Sequence, residues 1–506
     1  MDPWLTSTGA YDAAWFQYPC NHHLEQPLLD RLKNSNKSLY VYLSHEHQDH
    51  YDLEFISKIS DFNPNFILPQ FYTKAFESIA QFYPADNITY LADRQTLARA
   101  DFSATIFIEE SGLNRDSAIL LQAQGCSFLN LNDCKIFDRL NDLKNIKVDV
   151  FTAQFSGATW HPICYKYNVD EYRSISASKR LRKFKNVARA IDVLQPAIFI
   201  PSAGPCCFLD NDLFYLNFDD RGIFPTSEEF LDWLNENTKL SDTHNVHLLP
   251  GDRLTLPDGN IEITEQPFGY RHRSKQEYLL AYERKIISSR QSLFTRFTAT
   301  NPIIIFQQLR HELQLKCQEI GIITVEDRYL YFGLNELPNL FWKVNLQQQT
   351  VSETQEIGEL DFYSIVAPAW QVEKVLNREM HWEDFCLSFR SQLQRVPDTY
   401  SIIWNLFLFR NPDELAWAVA SLKTLDRKNN TCISVVCSTT AKEWKINRYC
   451  PHQGADLVNA QIEDSRYLIC PRHGWKFDLE NGGRLTPNGN FSVNVKQLLA
   501  VDRTRS

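Results

Sequence analysis

A chain of 506 residues exceeds one ordinary core and, at about 100 to 200 residues per domain, should fold as three or so modules. Apolar residues make up 43% and charged residues 23%, and no stretch approaches the roughly 18 uninterrupted apolar residues of a membrane span, so a globular chain without a transmembrane helix is predicted. With 52 Lys plus Arg against 62 Asp plus Glu, the net charge of −10 argues against a broad nucleic-acid footprint.

The opening Met-Asp-Pro-Trp-Leu-Thr has neither the basic start nor the apolar run of a signal peptide, which makes the cytoplasm the expected address. The twelve cysteines are then expected as reduced thiols, metal ligands or small buried side chains rather than a disulfide framework. Leu39-Tyr-Val-Tyr-Leu-Ser44 is an apolar, β-rich run followed at once by His45-Glu-His-Gln-Asp-His50. This H-x-H-x-D-H pattern puts three imidazoles and a carboxylate on one loop at a strand end, a donor set for zinc or iron. It resembles the signature of the metallo-β-lactamase fold. The resemblance implies that His45 and His47 bind one metal and that Asp49 and His50 bind a second. A bridging carboxylate should come from a later strand end, and Asp133 in Ser127-Phe-Leu-Asn-Leu-Asn-Asp133 fits.

Two further ligands of that family are missing. Its third histidine would fall in residues 108–115, which contain none; Glu110 and Asn114 are the candidates there, ahead of Glu109. Its last histidine is absent where Ala197-Ile-Phe-Ile200 runs into Pro201-Ser-Ala-Gly204. His161, in Thr159-Trp-His-Pro162, is a candidate ligand from another loop, with a structural role beside Trp160 as the alternative. A site poorer in histidine and richer in carboxylate suits iron better than hydrolytic zinc. Two basic stretches, Arg180-Leu-Arg-Lys-Phe-Lys185 and Arg271-His-Arg273, are candidates to receive an anionic substrate, against the plainer reading of solvated faces.

From about 275 to 420 helical spacing appears in residues 274–287 and 398–407, while residues 320–325 and 340–345 read as strands. An α+β module is expected, in which Glu383, Asp384 and Arg390 are candidates to line a substrate cavity, Arg390 gripping an anion through its planar fork. The alternative is a buried amphipathic helix with its charges satisfied.

The C-terminal stretch carries Cys450-Pro-His452 and Cys470-Pro-Arg-His473, that is, C-x-H and C-x-x-H with seventeen residues between His452 and Cys470. A Rieske [2Fe-2S] centre needs one Cys and one His from each of two facing loops, and this spacing supplies them. Two Cys and two His also suit tetrahedral zinc, but C-P-H-x-G followed by C-P-x-H-G-W resembles the Rieske family rather than a zinc ribbon. Short strands at 431–437, 467–470 and 491–495, with a turn at Glu480-Asn-Gly-Gly483, predict a small all-β module. Ala455 and His473-Gly-Trp475 resemble the lower-potential branch, whose clusters feed oxygenases.

Together these segments resemble the CMP-N-acetylneuraminate hydroxylase family, which joins a Rieske domain to a metallo-β-lactamase-like domain. Asp2-Pro-Trp-Leu-Thr6, Asn132-Asp-Cys134, Leu194-Gln-Pro-Ala-Ile-Phe-Ile-Pro201 and the block from Trp382 to Asn405 also match its layout. In the sialic-acid enzymes the Rieske domain comes first; here it comes last.

The expected fold is multidomain α+β: a metallo-β-lactamase αββα sandwich (1–272), an α+β middle domain (273–424) and an all-β Rieske domain (425–506). The expected function is a Rieske-coupled non-haem iron monooxygenase acting on a nucleotide-sugar or other polar anionic substrate. It would use the cluster held by Cys450, His452, Cys470 and His473, and one or two irons among His45, His47, Asp49, His50, Asp133, His161 and Glu110, with Asp49, His50 and Asp133 catalytic. No G-x-G-x-x-G fingerprint is present, so NAD(P)H chemistry is expected in a partner; the resemblance implies ferredoxin or cytochrome b5 with its reductase. Oligomerisation has a motive, since in many Rieske oxygenases one subunit's cluster serves its neighbour's iron. A zinc hydrolase with a redox-sensing cluster and a plain electron-transfer protein are the alternatives.

Overall fold

The computed structural model describes residues 1–498 apart from 73–74, 112–113, 240–241, 257, 298–299, 322–327, 429–430 and 487–490. The N-terminal module is built on two sheets. One is a parallel three-stranded sheet of Tyr40–Tyr42, Asn65–Pro69 and Ile88–Leu91. The other has seven strands in the order His244–Asn245, Ile198–Ser202, Val150–Gln154, Cys126–Asn130, Arg115–Ala123, Ser103–Glu110 and Thr96–Ala98.

Strand alternation sorts the side chains into layers. Ala104, Ile106 and Ile119 meet Tyr42, Ile67 and Leu91 between the sheets. Phe107, Ala118 and Leu120 face the opposite way and pack on Phe184, Val187 and Ile191 of the helix Val169–Leu194. On the outer face of the small sheet Val41, Phe66 and Leu68 pack on Phe55 and Ile56 of the helix Leu53–Lys58. The result is an αββα sandwich, the metallo-β-lactamase fold expected from the loop signature.

The middle module is a five-stranded sheet ordered Thr350–Thr354, Phe341–Asn345, Tyr329–Leu334, Phe362–Ala367 and Gln392–Val396. The helices Pro302–Ile320, Ala369–Leu376 and Pro412–Lys428 share its core. Tyr11, Trp15 and Phe208 also enter that core, so the first two modules are packed into one body. The strand expected at 320–325 falls largely outside the described residues, and Ile320 itself ends a helix. The helix expected from 398 starts at Ile402, because the chain turns after Pro397, where Thr399 N donates to the Pro397 carbonyl at 2.7 Å, and Asp398 is paired with Arg395. The helix Pro412–Lys428 runs through the boundary drawn at 424.

The C-terminal module has two small antiparallel sheets, Cys432–Val436 with Glu443–Asn447 and Lys496–Leu498, and Gln461–Glu463 with Tyr467–Ile469, Lys476–Asp478 and Arg484–Thr486. The strand expected at 491–495 is reduced to a single bridge at Ser492. All twelve cysteines are free thiols. Among the described residues no helix is long and apolar enough to cross a membrane.

Candidate metal centres

The loop after Tyr40–Tyr42 is shaped by its own hydrogen bonds. His50 N and Tyr51 N both donate to the His47 carbonyl, at 2.9 and 2.8 Å. Asp52 caps the helix that follows, accepting from Phe55 N at 3.0 Å, while its other oxygen takes Leu5 N and Thr6 N and straps the N-terminal segment over the loop. That strap delivers Asp2, which accepts from Ser44 N, Ser44 Oγ and His50 Nδ1 at 2.8, 2.6 and 2.9 Å.

These contacts fix which ring nitrogens carry protons. The Ser44 hydroxyl is spent on Asp2, so His45 Nδ1 donates to Ser44 Oγ at 2.9 Å, leaving its Nε2 as a lone pair. His50 Nδ1 donates to Asp2, leaving its Nε2 bare. His47 Nε2 faces Glu383 at 3.8 Å, leaving Nδ1. Carboxylates or hydroxyls behind an imidazole commonly orient it as a metal ligand. The bare nitrogens converge: His45 Nε2 lies 2.8 Å from His47 Nδ1, and His50 Nε2 lies 3.4 Å from Asp133 Oδ1 and 3.8 Å from Asp49 Oδ2. His45, His50 and Asp133 each offer a ligand atom within 4.8 Å of the others.

The 2.8 Å approach of His45 Nε2 and His47 Nδ1 is satisfied by a proton on His47 or by a metal cation between the two nitrogens. Asp133 Oδ1 is buried and accepts no hydrogen bond, which suits a cation. Burial pushes the His47 pKa down, but Glu383, Asp384 and Asp49 outweigh it and raise it to about 9, so without an ion a proton fills the gap. Residues 45, 47, 49, 50 and 133 therefore fit a metal ion.

Other residues complete the site. Asp116 Oδ1 lies 3.3 Å from His45 Nδ1, and Tyr11 donates to Asp49 at 2.6 Å. Asp116 sits one residue beyond the window searched for a replacement of the third family histidine. A carboxylate opening the buried strand Arg115–Ala123 was its signal. Glu383, expected to line a substrate cavity, lies against His47 and is tied to Arg410 Nη1 at 2.8 Å. Asp384 lies near His47 and Asp49, and burial raises its pKa to about 6.

Three expected site residues are placed elsewhere. Glu110 turns away and accepts Tyr72 N at 2.9 Å; strand alternation puts it on the face opposite buried Glu109. His161 is on a separate wall, with Nε2 3.0 Å from Tyr167 Oη and 3.4 Å from Arg395 Nη2. Arg390 is held by Asp210 at 3.3 Å and the Tyr11 carbonyl at 3.4 Å rather than offered to a ligand.

The C-terminal cysteines sit on two loops that fold alike. Cys450 N donates to the Ala455 carbonyl and Gly454 N to the Cys450 carbonyl, both at 2.9 Å; Cys470 N and Trp475, and Gly474 N and Cys470, repeat this at 2.8 Å. In both loops the glycine four residues after the cysteine has positive φ, +71° at Gly454 and +63° at Gly474, which favours glycine. Both thiols are fully buried, and the His452 and His473 rings are 4.8 Å apart. His452 Nδ1 and both ring nitrogens of His473 are buried without partners. Burial, with Lys135 and Arg472 nearby, pushes His452 down to about 3, so its ring is the neutral, ligating form. Two adjacent thiols and two unpartnered imidazoles fit a [2Fe-2S] cluster.

The two sites share one space. A cavity of about 510 Å³ is lined by His47, Asp116, Asp133 and Glu383 on one side and by His452 and His473 on another.

Residues 418–491 match the Rieske [2Fe-2S] domain family, and the C-terminal module is a Rieske domain. The chain thus carries a Rieske domain behind a metallo-β-lactamase-fold domain. It is 25% identical over 522 residues to a protein of Mycolicibacterium smegmatis described as a Rieske 2Fe-2S iron-sulfur protein, covering 97% of this chain and 94% of that one. It is 21% identical over 436 residues to the cytidine monophosphate-N-acetylneuraminic acid hydroxylase of Sus scrofa, covering 81% and 93%. Among solved structures, CmlA, a diiron beta-hydroxylase from Streptomyces venezuelae, aligns with a TM-score of 0.27 and 12% identity over 41% of this chain and 44% of that one.

Proposed function

We propose that the chain is a Rieske-coupled non-haem iron oxygenase, acting as a monooxygenase on a substrate bound in the cavity between the two centres. The observation that carries this reading is that both ligand sets open on that one cavity. When bound, the cluster would supply single electrons and the iron would use them with O₂ to oxygenate the substrate.

Cys450, His452, Cys470 and His473 would hold the cluster. His45, His47, Asp49, His50 and Asp133 would hold one or two irons, with Asp116 set behind His45 at its outer ring nitrogen. Asp2 and Ser44 orient His50 and His45 and keep their inward nitrogens unprotonated. Tyr11 holds Asp49 in place. A contact ladder joins the two ligand loops: Arg472, beside His473, lies 3.5 Å from Glu109, and Glu109 accepts Lys135 N, two residues past Asp133, at 3.3 Å. An external donor, a ferredoxin or cytochrome b5 with an NAD(P)H-dependent reductase, would refill the cluster.

The test is metal content on anaerobically purified protein together with paramagnetic resonance of the reduced sample. About three or four irons per chain and no zinc, with a cluster signal that O₂ discharges only when substrate is present, is the expected result. Two irons plus zinc would replace this reading with the zinc hydrolase.

A further inference from the structure

The wall of the cavity away from the metal loop is cationic. Lys179, Arg182, Lys183 and Asn186 stand at i, i+3, i+4 and i+7 of the helix Val169–Leu194, one face of an α-helix, and all four line the cavity. Lys135 lines it as well. Of the other charges of the same basic stretch, Arg180 also borders the cavity but donates to the Asp220 carbonyl at 2.8 Å, and Lys185 is turned away to pair with Glu463 at 3.3 Å.

The inward cations are bonded only to neutral acceptors. Lys179 donates to the His161 carbonyl at 2.8 Å, Arg182 to the His473 carbonyl at 3.4 Å, and Lys183 to the side-chain carbonyl of Gln154. Among the described residues none of Lys135, Lys179, Arg182 and Lys183 has a carboxylate within ion-pair distance. Enclosed charge without a counter-ion is costly. Burial and neighbouring cations push Lys179 well below its ordinary range and Lys183 down to about 8. Asp133, Asp116 and Glu109 reach Lys183 electrostatically, but in the reading above Asp133 is taken up by metal, Asp116 lies behind His45 and Glu109 lies 3.5 Å from Arg472.

We propose that this helix face is the anchor for a phosphoryl-bearing substrate, a phosphate ester or diphosphate held by Lys179, Arg182 and Lys183 with its uncharged remainder directed at His47 and Asp133. A single carboxylate brings one negative charge and would leave most of these cations uncompensated. A phosphoryl group brings two or more negative charges and several acceptor oxygens, which suit two ammonium groups and a guanidinium fork. The proposal rests on the cavity being the oxygenase active site, but its test does not depend on turnover.

The probe is inorganic pyrophosphate, titrated calorimetrically into the full chain with its metals loaded. Saturable binding is expected, weakened at least tenfold by Lys179→Gln and by Lys183→Gln, and unchanged by Arg173→Gln, an exposed position on the same helix. Circular dichroism checks that each variant folds. Binding should persist in the full-length His45→Ala chain, which separates this anchor from direct metal coordination. No saturable binding, loss in His45→Ala with normal binding in both lysine variants, or tighter binding of tricarballylate than of pyrophosphate would overturn the proposal. Each of these outcomes leaves the iron content, and with it the oxygenase reading, to its own measurement.

Discussion

Arg472 and Asp138 form a two-point ion pair across the boundary between the Rieske module and the metal module, Nη2 to Oδ2 at 2.8 Å and Nε to Oδ1 at 3.1 Å. Both side chains are almost fully enclosed, and Asp138 also accepts Asp456 N at 2.9 Å. Removing one partner of such a buried pair commonly costs about 3 to 5 kcal/mol. Asp138→Ala should therefore leave the cluster signal intact and slow discharge of the reduced cluster by O₂ and substrate about tenfold or more, as read by stopped-flow absorbance. Discharge at the wild-type rate would show that this docking does not govern electron transfer.

His45→Ala removes one of the converging lone pairs without touching the C-terminal loops. Metal analysis should find the N-terminal metal depleted and two irons per chain retained with the cluster signal unchanged, and turnover should fall by about 100-fold or more. An electron carrier would still pass electrons onward at the normal rate.

Because His452, His473, His47 and Asp133 line one cavity in a single chain, electrons should pass within the chain rather than to a neighbour. Mixing His45→Ala with His473→Ala, one lacking the iron site and the other the cluster, should give no recovery of activity. Recovery to about half the wild-type rate would mean that the centres are paired across subunits.

Glu414 holds the site from behind: it pairs with Arg115 at 3.1 Å and His381 at 2.9 Å, and His381 Nδ1 accepts the N–H of Glu383. Burial opposes ionisation, but His381, Arg115 and Arg410 outweigh it and lower the Glu414 pKa to about 2. A carboxylate depressed on folding contributes stability above its unfolded pKa and loses it as pH falls through the folded one. Glu414→Gln should be destabilised by about 3 kcal/mol at most near neutral pH, and the gap to wild type should close between about pH 4.5 and pH 2. Denaturant melts at several pH values would show it. A gap independent of pH would mean that the charge is not what stabilises.

Gly474 has φ +63°, and a Cβ built there would overlap the Arg182 side chain at Cδ. Gly474→Ala should displace Arg182 and strain the loop, so cluster occupancy after expression should drop measurably by iron and sulfide assay. Full occupancy would count against this tight fit.

The parts of the site legible in the sequence are those whose ligands are close along the chain. His45, His47, Asp49 and His50 share one loop, Cys450 with His452 and Cys470 with His473 share two more, and short spacings constrain where side chains can meet. Asp2, Tyr11 and Asp116 reach the same place only through strand pairing and the N-terminal strap, which no local spacing encodes. Glu383 and Arg390 lie seven residues apart and read alike as charged candidates. The fold parts them, one onto His47 and the other onto Asp210. The sandwich was legible from the apolar run before His45, whereas the strand expected at 491–495 was misplaced because its backbone bonds are divided among Gly483, Leu485 and Asn447 and form no single ladder.

The two cluster loops make the same turn, yet the histidine leaves it at the second position after Cys450 and at the third after Cys470. Each loop therefore has one position that its twin uses for a ligand and it does not: Gln453 in the first, Arg472 in the second. Neither is idle. Gln453 accepts from Asn114 at 3.2 Å, and Arg472 reaches Asp138 and Glu109. Part of the grip of this module on its neighbour is thus made from the positions its ligand pattern leaves over. Holding the cluster and holding the partner domain are two uses of one pair of turns, so any rearrangement of either imidazole is felt one residue away at the seam.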